Sequence, residues 1–143
     1  FGIADKNIKL AIENYTPVNN RSEPIKTKSN TLILDAYNAN PSSMTAMLHS
    51  FAKQNYDKKL CILGDMLEMG NTSLQEHKSI IDLTNELKLE CIFIGTEFAQ
   101  VHKQAYNSTD KFSESLIEKP IKNKTILLKG SRGITLEKLV KLL

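Results

Sequence analysis

Residues 31–41 read TLILDAYNANP. Leu32, Ile33 and Leu34 form an apolar run with no polar alternation. Such a run of strand length is what a strand buried on both faces requires. Asp35 to Asn38 then turn polar, and Asn40-Pro41 opens a helix. Asn suits the N-cap, and Pro is tolerated at the first helical position, where its missing N–H costs nothing. Met44, Met47, Leu48 and Phe51 follow at helical spacing. The stretch is therefore a strand over Thr31–Ala36, a short polar turn and a helix.

The same unit recurs outward from this point. LCILG at Leu60–Gly64 and CIFIG at Cys91–Gly95 are further apolar strands, and TILLK at Thr125–Lys129 is the last. Helical patterns separate them. Ser73-x-x-Glu76 resembles a capping box before Ile80, Ile81, Leu83, Thr84 and Leu87. Thr96 is expected to cap a short helix reaching about Tyr106, and Asp110–Lys122 to hold a weak one around Leu116-Ile117. Gly130–Gly133 is expected to turn into a helix over Thr135–Leu142. Upstream, Ile8, Ala11, Ile12 and Tyr15 give Asp5–Tyr15 a helical face, and Thr16–Lys28, with Pro17, Asn19-Asn20 and Pro24, reads as a loop. Apolar strands alternating with helices specify an α/β fold: a mostly parallel sheet with helices on both faces. Residues 1–28 are expected to lead in from a preceding domain, and 29–143 to form the single α/β domain.

The composition narrows the function classes. The chain has 143 residues, 41% hydrophobic and 24% charged, which suits one globular domain. No apolar run nears the roughly 20 residues of a membrane span. The first ten residues, FGIADKNIKL, do not read as a signal peptide. Phe1 in place of an initiator Met points to a piece of a longer protein. With 19 basic and 16 acidic residues the net charge is only +3, and there is no Trp, so nucleic acid is not the expected partner. Cys61 and Cys91 sit inside apolar runs and read as buried small hydrophobes, consistent with a reducing cytoplasm. His49 and His102 read as helix-surface residues. No metal cluster is expected.

Open α/β sheets bind ligands beyond the carboxyl ends of their strands. The Gly-punctuated polar loops fall there: Asp35–Pro41, Gly64–Gly70, Gly95-Thr96 and Lys129–Gly133. There is no phosphate loop, dinucleotide fingerprint, nucleophile elbow or HExxH motif. Read this way, the residues define a ligand-facing rim and stop short of a reaction.

The motifs go further. DAYNANPSSM from Asp35, LGDMLEMG from Leu63, His77, LLKGSRG from Leu127 and the upstream IKLAIENYTPVNNRSE together resemble the C-terminal domain of the Mur ligases. The resemblance spans the chain in order. It implies a Rossmann-like domain, third in a three-domain ATP-dependent enzyme whose central domain holds the phosphate loop and ATP with Mg2+. It implies that a substrate carboxylate of UDP-N-acetylmuramoyl-tripeptide becomes an acyl phosphate, which the amine of D-alanyl-D-alanine attacks during peptidoglycan precursor synthesis. A cytoplasmic monomer is implied, partnered by its own N-terminal and central domains, and this piece alone should be inactive.

For the nucleotide, the resemblance implies Arg21 toward the phosphates, Asp35 at the ribose, and Tyr37, Asn38 and Asn40 on the same loop. For the amino acceptor it implies Asp65, Glu68, His77, Lys129, Ser131 and Arg132. Lys129 or Arg132 would take the dipeptide carboxylate, aided by the N-terminus of a following helix, and Asp65 or Glu68 the ammonium. No catalytic residue is assigned to this domain. Relatives often carry an acid before Asp35 and a Ser after it; here these are Leu34 and Ala36, so Asp35 serves alone. A sibling ligase resembling folylpolyglutamate synthetase, or a non-catalytic nucleotide-binding or protein-interaction module, are the alternatives.

Overall fold

A computed structural model of the protein describes residues 24–143. The helix expected over Asp5–Tyr15 and the position of Arg21 lie outside these residues. Five strands form one sheet in the order β1-β2-β5-β3-β4. They are β1 (Pro24–Lys26), β2 (Thr31–Asp35), β3 (Lys59–Gly64), β4 (Cys91–Ile94) and β5 (Thr125–Lys129). β2, β5, β3 and β4 are parallel, and only β1 runs antiparallel, against β2. The helices are α1 (Pro41–Lys53), α2 (Ser73–Glu86), α3 (Thr96–Val101) and α4 (Thr109–Glu118).

The absence of polar alternation in the strands has a direct cause. Leu32, Leu34, Ile62, Ile126 and Leu128 point to one face, where Phe112 and Leu116 of α4 and Leu136, Leu139 and Val140 cover them. Ile33, Cys61, Leu63, Phe93 and Leu127 point to the other, under Met44, Leu48 and Phe51 of α1, Ile80 and Ile81 of α2 and Phe98 of α3. Both faces are buried, so both sets are apolar. Asn40 caps α1 as expected, accepting from Ser43 N at 2.9 Å, and the Ser43 hydroxyl accepts from Asn40 N to close a capping box.

Several local expectations are corrected. The loop over Thr16–Lys28 contains β1, whose Pro24 stands opposite Ile33. A three-residue edge strand opening on Pro is too short for periodicity to signal, and Pro is accepted at that position. Ser73 makes no capping box: a 3-10 turn at Gly70–Thr72 runs into α2, Thr72 occupies the N-cap without a side-chain bond, and the Ser73 hydroxyl donates to Glu97 Oε2 at 2.6 Å. Gly95, not Thr96, is the N-cap of α3, which ends at Val101. Tyr106 instead forms a parallel bridge to Ile94. α4 starts at the Ser108 cap and stops at Glu118, short of Lys119-Pro120, because the residue before Pro is pushed out of helical geometry. No α-helix covers Thr135–Leu142. Two 3-10 segments, Arg132–Ile134 and Leu136–Lys141, meet at Thr135, whose φ of 60° breaks the helical path. His49 is exposed on α1, but His102 follows α3 half-buried, its ring 4.9 Å from that of Phe93. Cys61 faces Cys91 across β3 and β4, both as free thiols.

Candidate functional site

The sheet order places β5 between β2 and β3, so three carboxyl ends lie side by side. Asp35 stands opposite Lys129 in register, and Leu63 stands opposite Lys129 on the other side. The three loops that follow are thereby brought to one rim.

Lys129 ends β5 and is only 2% exposed. Its ammonium donates to Asp35 Oδ2 at 2.8 Å and to the Asn38 carbonyl at 3.3 Å. A buried ammonium needs such partners, because leaving water unpaired is costly. The cation expected on the acceptor side is thus spent on holding the Asp35–Asn40 loop. The Arg132 guanidinium carbon lies 5.5 Å from the centre of the Tyr37 ring, cation over aromatic face. Tyr37 is 70% exposed. With no α-helix after Arg132, the expected pairing of two cations and a helix N-terminus as one anion site is not formed. Arg132 and Tyr37 form instead an exposed cationic and aromatic surface beside Asp35.

Ser131 is buried and ties two loops together. Its hydroxyl accepts from Leu67 N at 2.9 Å and donates to the Ala39 carbonyl at 3.4 Å, while its own N–H donates to the Asp65 carbonyl at 3.0 Å. Gly130 makes this approach possible, since a Cβ there would meet Gly64 Cα at 2.8 Å.

Asp65 lies beneath the rim and not on it. It is 1% exposed, and its two carboxylate oxygens accept from Glu97 N and Phe98 N, each at 2.9 Å. Its carboxylate does the capping of α3 from the loop after β3, which explains why the N-cap residue Gly95 needs no capping side chain. Burial pushes the Asp65 carboxyl up, and the two backbone N–H groups pull it back down. His77 is fully buried against the Phe98 ring edge. Its Nε2 accepts from Met66 N at 3.0 Å, and its Nδ1 donates to the Ser73 carbonyl at 2.7 Å. That pattern requires the neutral ring, so its 3.6 Å approach to Asp65 Oδ1 is not an ion pair. Glu68 is exposed with φ of 62°. With Leu67 it is one of the exposed residues of this loop.

Nothing in the sequence announced the Ser73–Glu97 bond or the Asp65 cap, because both pair residues on different elements. Concave regions among the described residues lie at both ends of the strands. One, of about 230 Å3, opens on this rim between Asp65, Leu67, Thr96, Asp110 and Thr135. The other, of about 750 Å3, lies at the amino ends of β2 and β5 among Lys26, Asn30 and Lys124, away from every rim loop.

In an α/β domain of this kind the carboxyl rim of the parallel sheet, where the polar loops gather here, is the place that can receive a ligand. The family described as "Mur ligase, glutamate ligase domain" matches residues 20–132. The chain belongs to that family. The UDP-N-acetylmuramoyl-tripeptide–D-alanyl-D-alanine ligase of Bacillus subtilis is 32% identical over 99% of this chain and 34% of its own length. The ligase of the same name from Treponema pallidum is 31% identical over 99% of this chain and 33% of its own. A crystal structure of MurF from Acinetobacter baumannii superposes with a TM-score of 0.69, at 28% identity over 97% of this chain and 33% of that one. MurF ligase from Thermotoga maritima, solved in complex with ADP, shares the fold at a TM-score of 0.70 and 21% identity, over 90% of this chain and 31% of that one. The chain thus spans about a third of the length of these relatives.

Proposed function

We propose that this chain is the C-terminal domain of an ATP-dependent ligase that joins D-alanyl-D-alanine to UDP-N-acetylmuramoyl-tripeptide through an acyl phosphate. The observation that carries the reading is the convergence of the YNANP, LGDMLEMG and KGSR loops on one rim. It is supported by relatives of that name aligned over almost the whole chain. The residues ahead of β1 would lead in from the central ATPase domain, with Arg21 toward the nucleotide phosphates, while β1 itself belongs to this domain's sheet.

In this reading the domain closes over ATP held by the central domain, excluding water from an acyl phosphate that would otherwise hydrolyse. Asp35 would accept hydroxyls of the ribose with the oxygen that Lys129 leaves free. Tyr37 offers a flat face for adenine, and Arg132, held over it, a charge for the phosphates. Asn38 and Asn40 hold this loop, Asn40 as a helix cap. On the acceptor side Glu68 would hold the dipeptide ammonium before it loses its proton. Asp65, His77 and Ser131 would support that side from below, and Lys129 would support both. The Mg2+ that accompanies ATP would be held mainly by the central domain; in this domain Asp35 is already paired with Lys129 and both Asp65 oxygens cap α3.

A cytoplasmic monomer handling small molecules fits this role. Among the described residues no helix is long and apolar enough to cross a membrane. The test is made on the full-length protein that carries this domain. ADP should form only when UDP-N-acetylmuramoyl-tripeptide and D-alanyl-D-alanine are both present, and the product mass should equal their sum less one water. ADP formation with glutamate in place of the dipeptide would move the enzyme to a sibling activity. No turnover with any amino acceptor would favour a non-catalytic module.

A further inference from the structure

We propose that His77 is a positioning residue for the amino acceptor, acting only through the backbone N–H of Met66 to aim Glu68. This inference rests on the acceptor-side reading of the 65–70 loop given above. Three consecutive residues of that loop are pinned, each by a different element. The Asp65 carboxylate is fixed to the first turn of α3. Met66 has a fully buried side chain and donates its N–H to His77 Nε2 at 3.0 Å. Leu67 donates its N–H to the Ser131 hydroxyl at 2.9 Å. Glu68 follows with a left-handed backbone, and among the described residues its carboxylate has no hydrogen-bond partner, so the three pinned residues before it set the direction in which it leaves the loop.

Of the three pins only His77 is a side chain with no exposure and no other outlet for its chemistry. Both ring nitrogens are used within the protein, and the ring edge packs on Phe98 at 4.6 Å between centroids. It reaches no ligand. Were its Nε2 to lose the acceptor role, a buried N–H would be left unpaired directly before the rim residues, and the loop would have to move to satisfy it.

The two nitrogens can be separated by substitution. Gln places its side-chain oxygen near the position of Nε2 and can accept from Met66. Asn places its amide near Nδ1, can still donate to the Ser73 carbonyl, and leaves Met66 unpaired. In the full-length ligase, His77→Asn should raise KM for D-alanyl-D-alanine tenfold or more and leave KM for ATP within twofold. His77→Gln should stay within threefold of wild type for both, although the two variants lose melting temperature alike. Glu68→Gln should reproduce the acceptor defect with no change in melting temperature. The inference is overturned if Asn and Gln behave alike, if KM for ATP rises with that for the dipeptide, or if the losses simply follow melting temperature. One measurement needs no variant: the 15N signals of His77 in the wild-type protein should report the Nδ1–H tautomer, and a protonated Nε2 would overturn the inference even if His77→Asn does not fold. A wild-type protein with no dipeptide-dependent ADP release would instead overturn the ligase reading, and the acceptor role of His77 with it.

Discussion

Lys129 Nζ lies 2.8 Å from Asp35 Oδ2, joining the last residues of two neighbouring parallel strands by a bond between a buried ammonium and a partly exposed carboxylate. The two residues, which the motifs alone divide between nucleotide and acceptor, act as one group. The asymmetry of their burial makes the pair's energetics directional. Asp35→Ala leaves the buried ammonium with the Asn38 carbonyl alone and no counter-charge, and should cost about 3–5 kcal/mol. Lys129→Met leaves a carboxylate that can rehydrate, and should cost roughly 1.5–3 kcal/mol, the value of a lost charge-assisted bond. Chemical denaturation of both variants checks the order; a larger loss for Lys129→Met would mean the ammonium is not truly enclosed.

Gly95 has φ of 131°, and a Cβ placed on it would meet the Asp65 carboxylate at 2.1 Å. Gly95→Ala therefore combines backbone strain of about 1–3 kcal/mol with loss of a helix cap worth about 1 kcal/mol. A melting curve should show a drop corresponding to about 2–4 kcal/mol. A neutral substitution would contradict the tight seat assigned to Asp65.

The Asp65 carboxyl also predicts a pH dependence. Burial raises it in the folded protein. The folded state therefore binds this proton more tightly than the unfolded chain. The resulting contribution is full below the unfolded value near 4 and is lost as pH rises through the raised folded value. Asp65→Asn cannot titrate. Its stability relative to wild type should improve as pH rises from about 4 toward neutrality, and a difference that is flat with pH would show that the two N–H bonds outweigh burial.

Cys61 accepts no reagent easily in this fold. The neighbouring Cys91 thiol and burial both push the Cys61 thiol up. A thiolate-directed reagent at pH 8 should leave Cys61 unmodified in the native protein and label it only after denaturant is added. Native labelling of Cys61, read by peptide mass, would show that β3 and β4 open more readily than their register implies.

Much of the fold was legible in the sequence because the four parallel strands carry apolar side chains on both faces, and Asn40-Pro41 marks a helix start without ambiguity. What was not legible depends on contacts between elements. β1 is visible only through its pairing with Ile33, Leu32 and Thr31. The 3-10 path after Ser131 follows from the left-handed Thr135, a conformation that the residue type disfavours. The cap of α3 comes from Asp65, thirty-odd residues away in sequence, which no local pattern encodes. At the rim, the motifs marked loops that the sheet brings together, yet they could not say that Lys129 would pair with Asp35 or that Arg132 would lie over Tyr37.

The proposed function divides the rim, with Asp35, Tyr37 and Arg132 toward the nucleotide and Glu68 toward the acceptor. The most direct test is the KM for each substrate in the full-length protein bearing Arg132→Ala. Losing a charge-assisted contact worth roughly 1.5–3 kcal/mol should raise KM for ATP about ten- to a hundredfold and leave KM for D-alanyl-D-alanine within about twofold. A rise confined to the dipeptide, with ATP spared, would contradict the division and return Arg132 to the acceptor.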